Sequence, residues 1–111
     1  MIFGFGRKKH REVTPRQLDS MLERGRALVI DVRELAEFAA GHIPGAINVP
    51  LSGFRANQLP DSEGKLLVLN CAAGRRSTMA LDKCAAAGAK VDTHLAGGYG
   101  AWTAAGLAVE A

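Results

Sequence analysis

The sequence is poor in cysteine and aromatic residues, and it has no long apolar run. Two cysteines, Cys71 and Cys84, in 111 residues are too few for a disulfide scaffold. No stretch approaches the roughly 20 apolar residues that a membrane-spanning helix needs, so we expect no membrane span. The opening MIFGFG is shorter than the apolar core of a signal peptide, and we therefore expect a cytoplasmic protein.

The chain also lacks the common patterns for binding metals and nucleotides. His10, His42 and His94 are scattered, and neither they nor the cysteines have metal-ligand spacing. No Walker-type loop is present. GGYG at 97–100 lacks the full G-x-G-x-x-G spacing, so it predicts a turn. No histidine lies near Cys71 in sequence, although folding could bring one close.

Length and charge indicate one domain with a short basic tail. The chain is 48% hydrophobic, which is enough for one compact core in 111 residues. The formal net charge is +3, and part of it comes from RKKHR at 7–11. For so short a run a solvated tail is favoured over a nucleic-acid surface, and we expect no nucleic-acid partner. We predict a basic tail at 1–11 and a single domain at 12–111.

Apolar runs alternate with helical patterns along the chain. The runs at 27–31 and 66–70 predict strands that are covered on both faces. TPRQ at 14–17 has the form of a capping box that starts a helix. We further predict helices over 34–40 and 75–87, a helical turn within 52–60, strands over 46–49 and 91–95, and a short helix within 97–106. This alternation predicts an α/β fold with a mostly parallel sheet and helices on both faces.

Cys71 follows a predicted strand and precedes a predicted helix, which is where ligands bind in such sheets. The helix N-terminus and the backbone N–H groups of the loop favour an anion there, and Gly74 lets the loop curl around it. Arg75 and Arg76 add two permanent charges. These features predict a reactive thiolate at Cys71. Cys84 lies among alanines in the middle of a helix and is predicted to be core.

Three motifs resemble the rhodanese family of single-domain sulfurtransferases. The stretch 28–50 is similar to the signature D-V-R-x-x-x-E-F-x-x-G-H-I-P-G-A-x-N-[VI]-P. CAAGRRS at 71–77 resembles the active loop C-x-x-G-x-R-[SA], and 95–102 resembles L-x-G-G-x-x-[AG]-W. The motifs occur in the family's order, and the resemblance extends over about residues 13–107.

The resemblance implies a rhodanese-like fold of three layers, with a mostly parallel sheet of about five strands. It implies that Cys71 is the nucleophile that takes a sulfane sulfur from a donor such as thiosulfate. The resulting persulfide is passed to a thiophilic acceptor, which is cyanide in vitro and a thiol or a protein in the cell. The family works without a metal or an organic cofactor, so we expect neither.

The same resemblance assigns the residues around the cysteine. The binding loop is predicted to comprise Ala72, Ala73, Gly74, Arg75, Arg76 and Ser77. Its amides would surround the outer sulfur as in an oxyanion hole, and an arginine at the rim would hold the sulfonate end of a donor. Supporting roles fall to Asp31, which accepts either from loop N–H groups or from an arginine, and to Arg33, in an internal ion pair. His42 is predicted to be structural.

Three alternatives stay open at this point. A protein-specific sulfur-relay or interaction module would keep the loop but show low activity on thiosulfate. Phosphatases of the same fold have five residues between cysteine and arginine, whereas four separate Cys71 from Arg76, at 72–75, which disfavours phosphate. An arsenate reductase is weaker still, because no resolving cysteine lies near Cys71 in sequence.

Overall fold

The structure is a computed structural model that describes residues 9–111, so most of the predicted basic tail lies outside the described residues. Nine helices and strands and one 3₁₀ turn are described there: β1 (Arg11–Val13), α1 (Pro15–Glu23), β2 (Ala27–Asp31), α2 (Leu35–Ala40), β3 (Ile47–Asn48), the 3₁₀ turn (Ala56–Gln58), β4 (Leu66–Asn70), α3 (Arg75–Ala86), β5 (Thr93–Leu95) and α4 (Gly98–Ala104). The two apolar strands, β2 and β4, match their predicted bounds.

The five strands form one sheet in the order β1-β5-β4-β2-β3, and every pair of neighbours is parallel. The predicted α/β class with a parallel sheet is therefore confirmed. In the central pair, Asp31 of β2 lies opposite Asn70 of β4. Because parallel strands end at the same edge, this register brings the residues after Asp31 and after Asn70 together at the carboxyl edge of the sheet.

Two apolar clusters cover the two faces of the sheet. One packs α3, through Ala80, Leu81 and Cys84, against β2 and β4. The other packs α1 and α4 on the opposite face, with Leu18 and Trp102 fully or almost fully buried. Helices therefore lie on both faces, and the central strands β2 and β4 are held between them. The predicted core position of Cys84 is confirmed.

The first helix begins where the sequence predicts a capping box. Thr14 closes a capping box with Gln17 at the start of α1, with hydrogen bonds of 3.1 and 2.8 Å. The predicted helix at 34–40 begins one residue later, at Leu35, with Glu34 as its N-cap. Among residues 9–111, no helix combines the length and apolar character needed to cross a bilayer.

Strand β1 is not predicted by the sequence. It holds only three residues, Arg11–Val13, at the edge of the sheet, where REV has no apolar run to signal a strand. Arg11, assigned to the tail, is thus the first residue of a strand. Lys9 and His10 also contact Asp82 of α3, at 3.0 and 2.8 Å. The extent of a tail before residue 9 stays a prediction.

Candidate active site

Cys71 lies directly after β4, the central strand of the sheet, at the carboxyl edge where parallel sheets bind ligands. The position predicted for it is therefore observed. The residue is 1% exposed, so its sulfur forms the floor of the site rather than its rim. The next two residues, Ala72 and Ala73, are exposed. Their small side chains leave the approach to the loop open.

The loop after Cys71 turns its N–H groups toward the sulfur. Gly74 has a φ of 110° and is the N-cap of α3, a conformation that glycine tolerates and other residues rarely adopt. Its N–H donates to Cys71 Sγ at 3.0 Å, and the N–H of Ser77 donates at 3.3 Å. The Ser77 hydroxyl lies 3.6 Å from the same sulfur. The cysteine thus lies in a nest of donors at a helix N-terminus.

These donors set the acidity of the thiol. Burial by itself would raise the pKa of Cys71. Hydrogen bonds from the Ser77 hydroxyl and from the N–H groups of Ser77, Gly74 and Ala73 outweigh it, and the pKa of Cys71 falls below that of an ordinary cysteine. Cys84 shows the opposite effect, because burial without such donors raises its pKa. Of the two cysteines, Cys71 is the better nucleophile near neutral pH.

The two loop arginines differ in their surroundings. Arg76 makes a two-point ion pair with Glu37 of α2, at 2.7 and 3.0 Å. The side-chain hydrogen bond from Arg76 is the largest cause that lowers the pKa of Glu37 to about 2. Arg75 is exposed, and within residues 9–111 no hydrogen bond or ion pair engages its guanidinium. Arg75 is therefore the loop cation that faces solvent, whereas Arg76 ties the loop to α2.

Asp31 and Arg33 form a buried pair beneath the loop. The Arg33 guanidinium donates to Asp31 Oδ2 at 2.8 Å, to Asp31 Oδ1 at 3.1 Å and to the carbonyl of Gly41 at 2.7 Å. Its guanidinium also lies 4.2 Å from the centre of the Tyr99 ring. Asp31 thus accepts from an arginine, which is one of the two predicted possibilities. The pair joins the end of β2 to Gly41 after α2 and to Tyr99 of α4. Its role in supporting the site stays a prediction.

The start of α4 holds the loop from the other side. The N–H of Tyr99 donates to the carbonyl of Cys71 at 2.7 Å, and the N–H of Gly100 donates to that of Ala72 at 3.0 Å. This approach is close because Gly98 has no side chain. A Cβ built on Gly98 would lie 2.5 Å from the Cys71 carbonyl oxygen. The sequence predicts a turn at GGYG, whereas the structure has Gly97 as the N-cap and residues 98–100 as the first turn of α4. The contact with the loop was not predicted.

Folding also brings a histidine to the site that sequence spacing did not indicate. His94 of β5 places Nδ1 2.8 Å from the hydroxyl of Ser77. Its Nε2 lies 3.4 Å from a carboxylate oxygen of Glu12, on β1. The parallel register sets Glu12 beside His94 in the sheet. The only signal in the sequence was the position of His94 near the end of a predicted strand, which leads to the same edge as Cys71.

His42 lies in a different environment. Its ring stacks on Phe38 with 3.8 Å between centroids, and Nδ1 bonds the Phe38 carbonyl at 2.8 Å. Its Nε2 lies 3.3 Å from a carboxylate oxygen of Glu110. These contacts join α2 to the end of the chain, as expected of a structural histidine. Across the described part of the chain, no group of three or more histidine, cysteine or acidic residues is placed to hold a metal ion.

Comparisons with known proteins agree with this arrangement. The rhodanese-like domain family matches residues 14–105. An uncharacterized protein of Synechocystis sp. is 40% identical over 95 residues, which cover 86% of this chain but only 53% of that protein. The human thiosulfate:glutathione sulfurtransferase is 35% identical over 100 residues, covering 78% of this chain and 87% of that protein.

Solved structures give the same relationship. The human single-domain sulfurtransferase superposes with a TM-score of 0.71 at 34% identity, over 84% of this chain and 95% of that one. The family match spans strands β2 to β5, the cysteine loop and α4. The chain belongs to the family of rhodanese-like domains, which includes the single-domain sulfurtransferases.

Proposed function

We propose that the protein is a sulfurtransferase that carries a sulfane sulfur on Cys71. One observation carries this proposal: a buried sulfur at the carboxyl edge of the sheet accepts hydrogen bonds from two backbone N–H groups, at 3.0 and 3.3 Å. Such donors stabilise a thiolate, and they suit the anionic persulfide that would follow it. The described loop contains Ala72 to Ser77, the residues that we assign to binding.

The reaction takes two displacements. The Cys71 thiolate attacks the outer sulfur of a donor such as thiosulfate, the sulfur–sulfur bond of the donor breaks, and sulfite leaves with the electron pair. The acceptor then attacks the outer sulfur of the Cys71 persulfide, and the cysteine thiolate leaves. Neither displacement requires an oxidant, a metal or an organic cofactor. Cyanide serves as the acceptor in vitro, and a thiol or a protein serves in the cell.

Thiosulfate and a small thiol are proposed as substrates partly from the human relative, which is named for thiosulfate and glutathione. A phosphatase is disfavoured because Glu37 holds Arg76, the arginine that would have to stabilise a bound phosphate. The cytoplasm is the proposed compartment, since a thiol nucleophile needs a reducing environment.

Arg75 is proposed to attract the anionic donor. It is the exposed loop cation, and it precedes the ion-paired Arg76 at the start of α3. We expect Arg75→Ala to raise KM for thiosulfate about twofold to fivefold at low salt, with kcat little changed, because an exposed charge contributes modestly. The difference should shrink at high ionic strength. Arg16→Ala removes an exposed charge from α1 on the far face of the sheet, and steady-state kinetics should show no such change.

Intact-mass spectrometry of the wild-type protein tests the proposed function. Incubation with thiosulfate should add one sulfur, about 32 mass units, and cyanide should remove it as thiocyanate. Release of phosphate from an aryl phosphate without sulfur uptake would replace the proposal with a phosphatase. If neither occurs, thiosulfate is not the donor, and sulfur relay from a protein donor becomes the better account.

A further inference from the structure

The Ser77 hydroxyl connects the sulfur of Cys71 to the imidazole of His94. It lies 3.6 Å from Cys71 Sγ and 2.8 Å from His94 Nδ1. Ser77 is fully buried, and the His94 side chain is 7% exposed. The shortest route for a proton from the sulfur on this side therefore runs through the Ser77 hydroxyl to Nδ1 of His94, and not directly to solvent.

The far side of the imidazole meets a carboxylate. His94 Nε2 lies 3.4 Å from Glu12, whose side chain is 26% exposed and so links the buried ring to the surface. A carboxylate at this position fixes a proton on Nε2, which leaves Nδ1 as the acceptor toward Ser77. It also stabilises the ring when Nδ1 becomes protonated. A base that is oriented by an acidic group is the arrangement used to activate nucleophiles.

We propose that His94, acting through Ser77, accepts the proton of the Cys71 thiol and returns it. The S–H bond breaks and its proton passes to the Ser77 oxygen, while the Ser77 proton passes to His94 Nδ1. The products are a thiolate and an imidazolium, so charge and atoms balance without a co-reactant. Because His94 does not touch the sulfur, it is a positioning residue that acts through Ser77. The value of the relay for catalysis rests on the proposed function.

The relay suits an acceptor that is itself a thiol. Such an acceptor brings a proton that cyanide ion does not, and this proton must be held when the Cys71 thiolate leaves the persulfide. His94 can take this proton through Ser77 when the thiol attacks, and the sulfite that leaves from the next donor molecule can accept it. The proposed relay therefore points to thiol acceptors within the proposed sulfurtransferase activity.

The charged groups around this chain of groups include Arg76, whose charge acts on that of Cys71. His94 faces Glu12 from β1, Cys71 from the end of β4, and the neutral Ser77 from α3. The acidic group of α3, Asp82, is paired with Lys9 and His10. Arg11 of β1 lies 3.8 Å from Asp92 rather than at the histidine.

The pH dependence of Cys71 alkylation by iodoacetamide tests the relay. Mass analysis of the peptide that contains Cys71 separates it from Cys84. We expect His94→Asn, which keeps a hydrogen-bonding side chain but cannot take a proton, to move the midpoint about one pH unit upward. Alkylation at pH values below that midpoint is then about tenfold slower. Glu12→Gln should slow this alkylation about threefold, because the His94 imidazole stays in place but loses its charged partner.

The control is His10→Gln. This variant removes the imidazole from another histidine–carboxylate pair, the one that His10 forms with Asp82 of α3. It should leave the midpoint unchanged. If His94 is purely structural, the His94→Asn variant should be alkylated with the same pH midpoint as the wild type. That result would overturn the relay. If His94→Asn fails to unfold cooperatively, Glu12→Gln decides in the same way. Alkylation involves no sulfur transfer, so the relay and the proposed function can fail independently.

Discussion

Cys71→Ser should abolish sulfur uptake while leaving the fold intact. We expect the rate of thiosulfate:cyanide sulfur transfer to fall roughly a thousandfold or more, to the background of the uncatalysed reaction. A serine hydroxyl is not ionised near neutral pH, so the donors at Gly74 and Ser77 have no thiolate to stabilise. The replacement is small and polar, and the same N–H groups can bond the new oxygen. Stability should therefore change little.

The matched control is Cys84→Ala, which should show the reverse pattern. Cys84 is fully buried in the apolar cluster beneath α3 and has a raised pKa. Removing its sulfur leaves a small cavity and should lower the free energy of unfolding by about 1 to 2 kcal/mol. Sulfur uptake should persist. Urea unfolding measures the change in stability, and intact mass measures sulfur uptake. Uptake of sulfur by Cys71→Ser, or loss of uptake in Cys84→Ala, would contradict the assignment of Cys71 as the nucleophile.

How much of this site was predictable depends on the kind of signal each part leaves in the sequence. Strands β2 and β4 were placed correctly because their apolar runs are continuous, and a strand covered on both faces requires such runs. The thiol position followed from these strands, since the end of a central parallel strand is a fixed place in the fold. Strand β1 left no signal, because an edge strand of three residues needs no apolar run.

The partners of Cys71 depend on long-range packing and were harder to predict. Residues 71–77 are local, so the Gly74 and Ser77 donors follow from the loop sequence. The contact of Ser77 with His94 joins residues 17 apart and depends on how α3 lies on β5. The sequence did not predict the ion pair of Arg76 with Glu37 either, because the two residues lie 39 positions apart.

Gly98→Ala should have the largest effect on stability among the glycine substitutions near the site. Gly98 has a φ of 64°, which strains any residue with a Cβ. The new Cβ would also lie 2.5 Å from the carbonyl oxygen of Cys71 and 2.7 Å from backbone atoms of Ala72. These are backbone atoms of the active loop, so the clash can be relieved only if α4 or the loop moves. Strain and overpacking together should lower the free energy of unfolding by about 3 kcal/mol or more.

Two other glycines separate the causes. Gly106 has a similar φ of 73° with nothing within 4 Å of a built Cβ, so Gly106→Ala measures strain alone, about 1 kcal/mol. Gly100 lies within α4 without a positive φ, and its built Cβ would lie 3.4 Å from the Ala72 carbonyl oxygen. Gly100→Ala should be close to neutral, because alanine favours a helix and the contact is near an ordinary one.

The steric clash in Gly98→Ala should also lower the reactivity of the Cys71 thiol. Moving α4 away breaks the hydrogen bonds from Tyr99 and Gly100 to the carbonyls of Cys71 and Ala72, which hold the loop in place. The loop amides would then no longer converge on the sulfur, so we expect slower iodoacetamide alkylation of Cys71 at neutral pH in the folded variant. Gly106→Ala should alkylate like the wild type. Equal stability losses for Gly98→Ala and Gly106→Ala would mean that α4 does not press on the loop, and the helix would then lose its role in shaping the site.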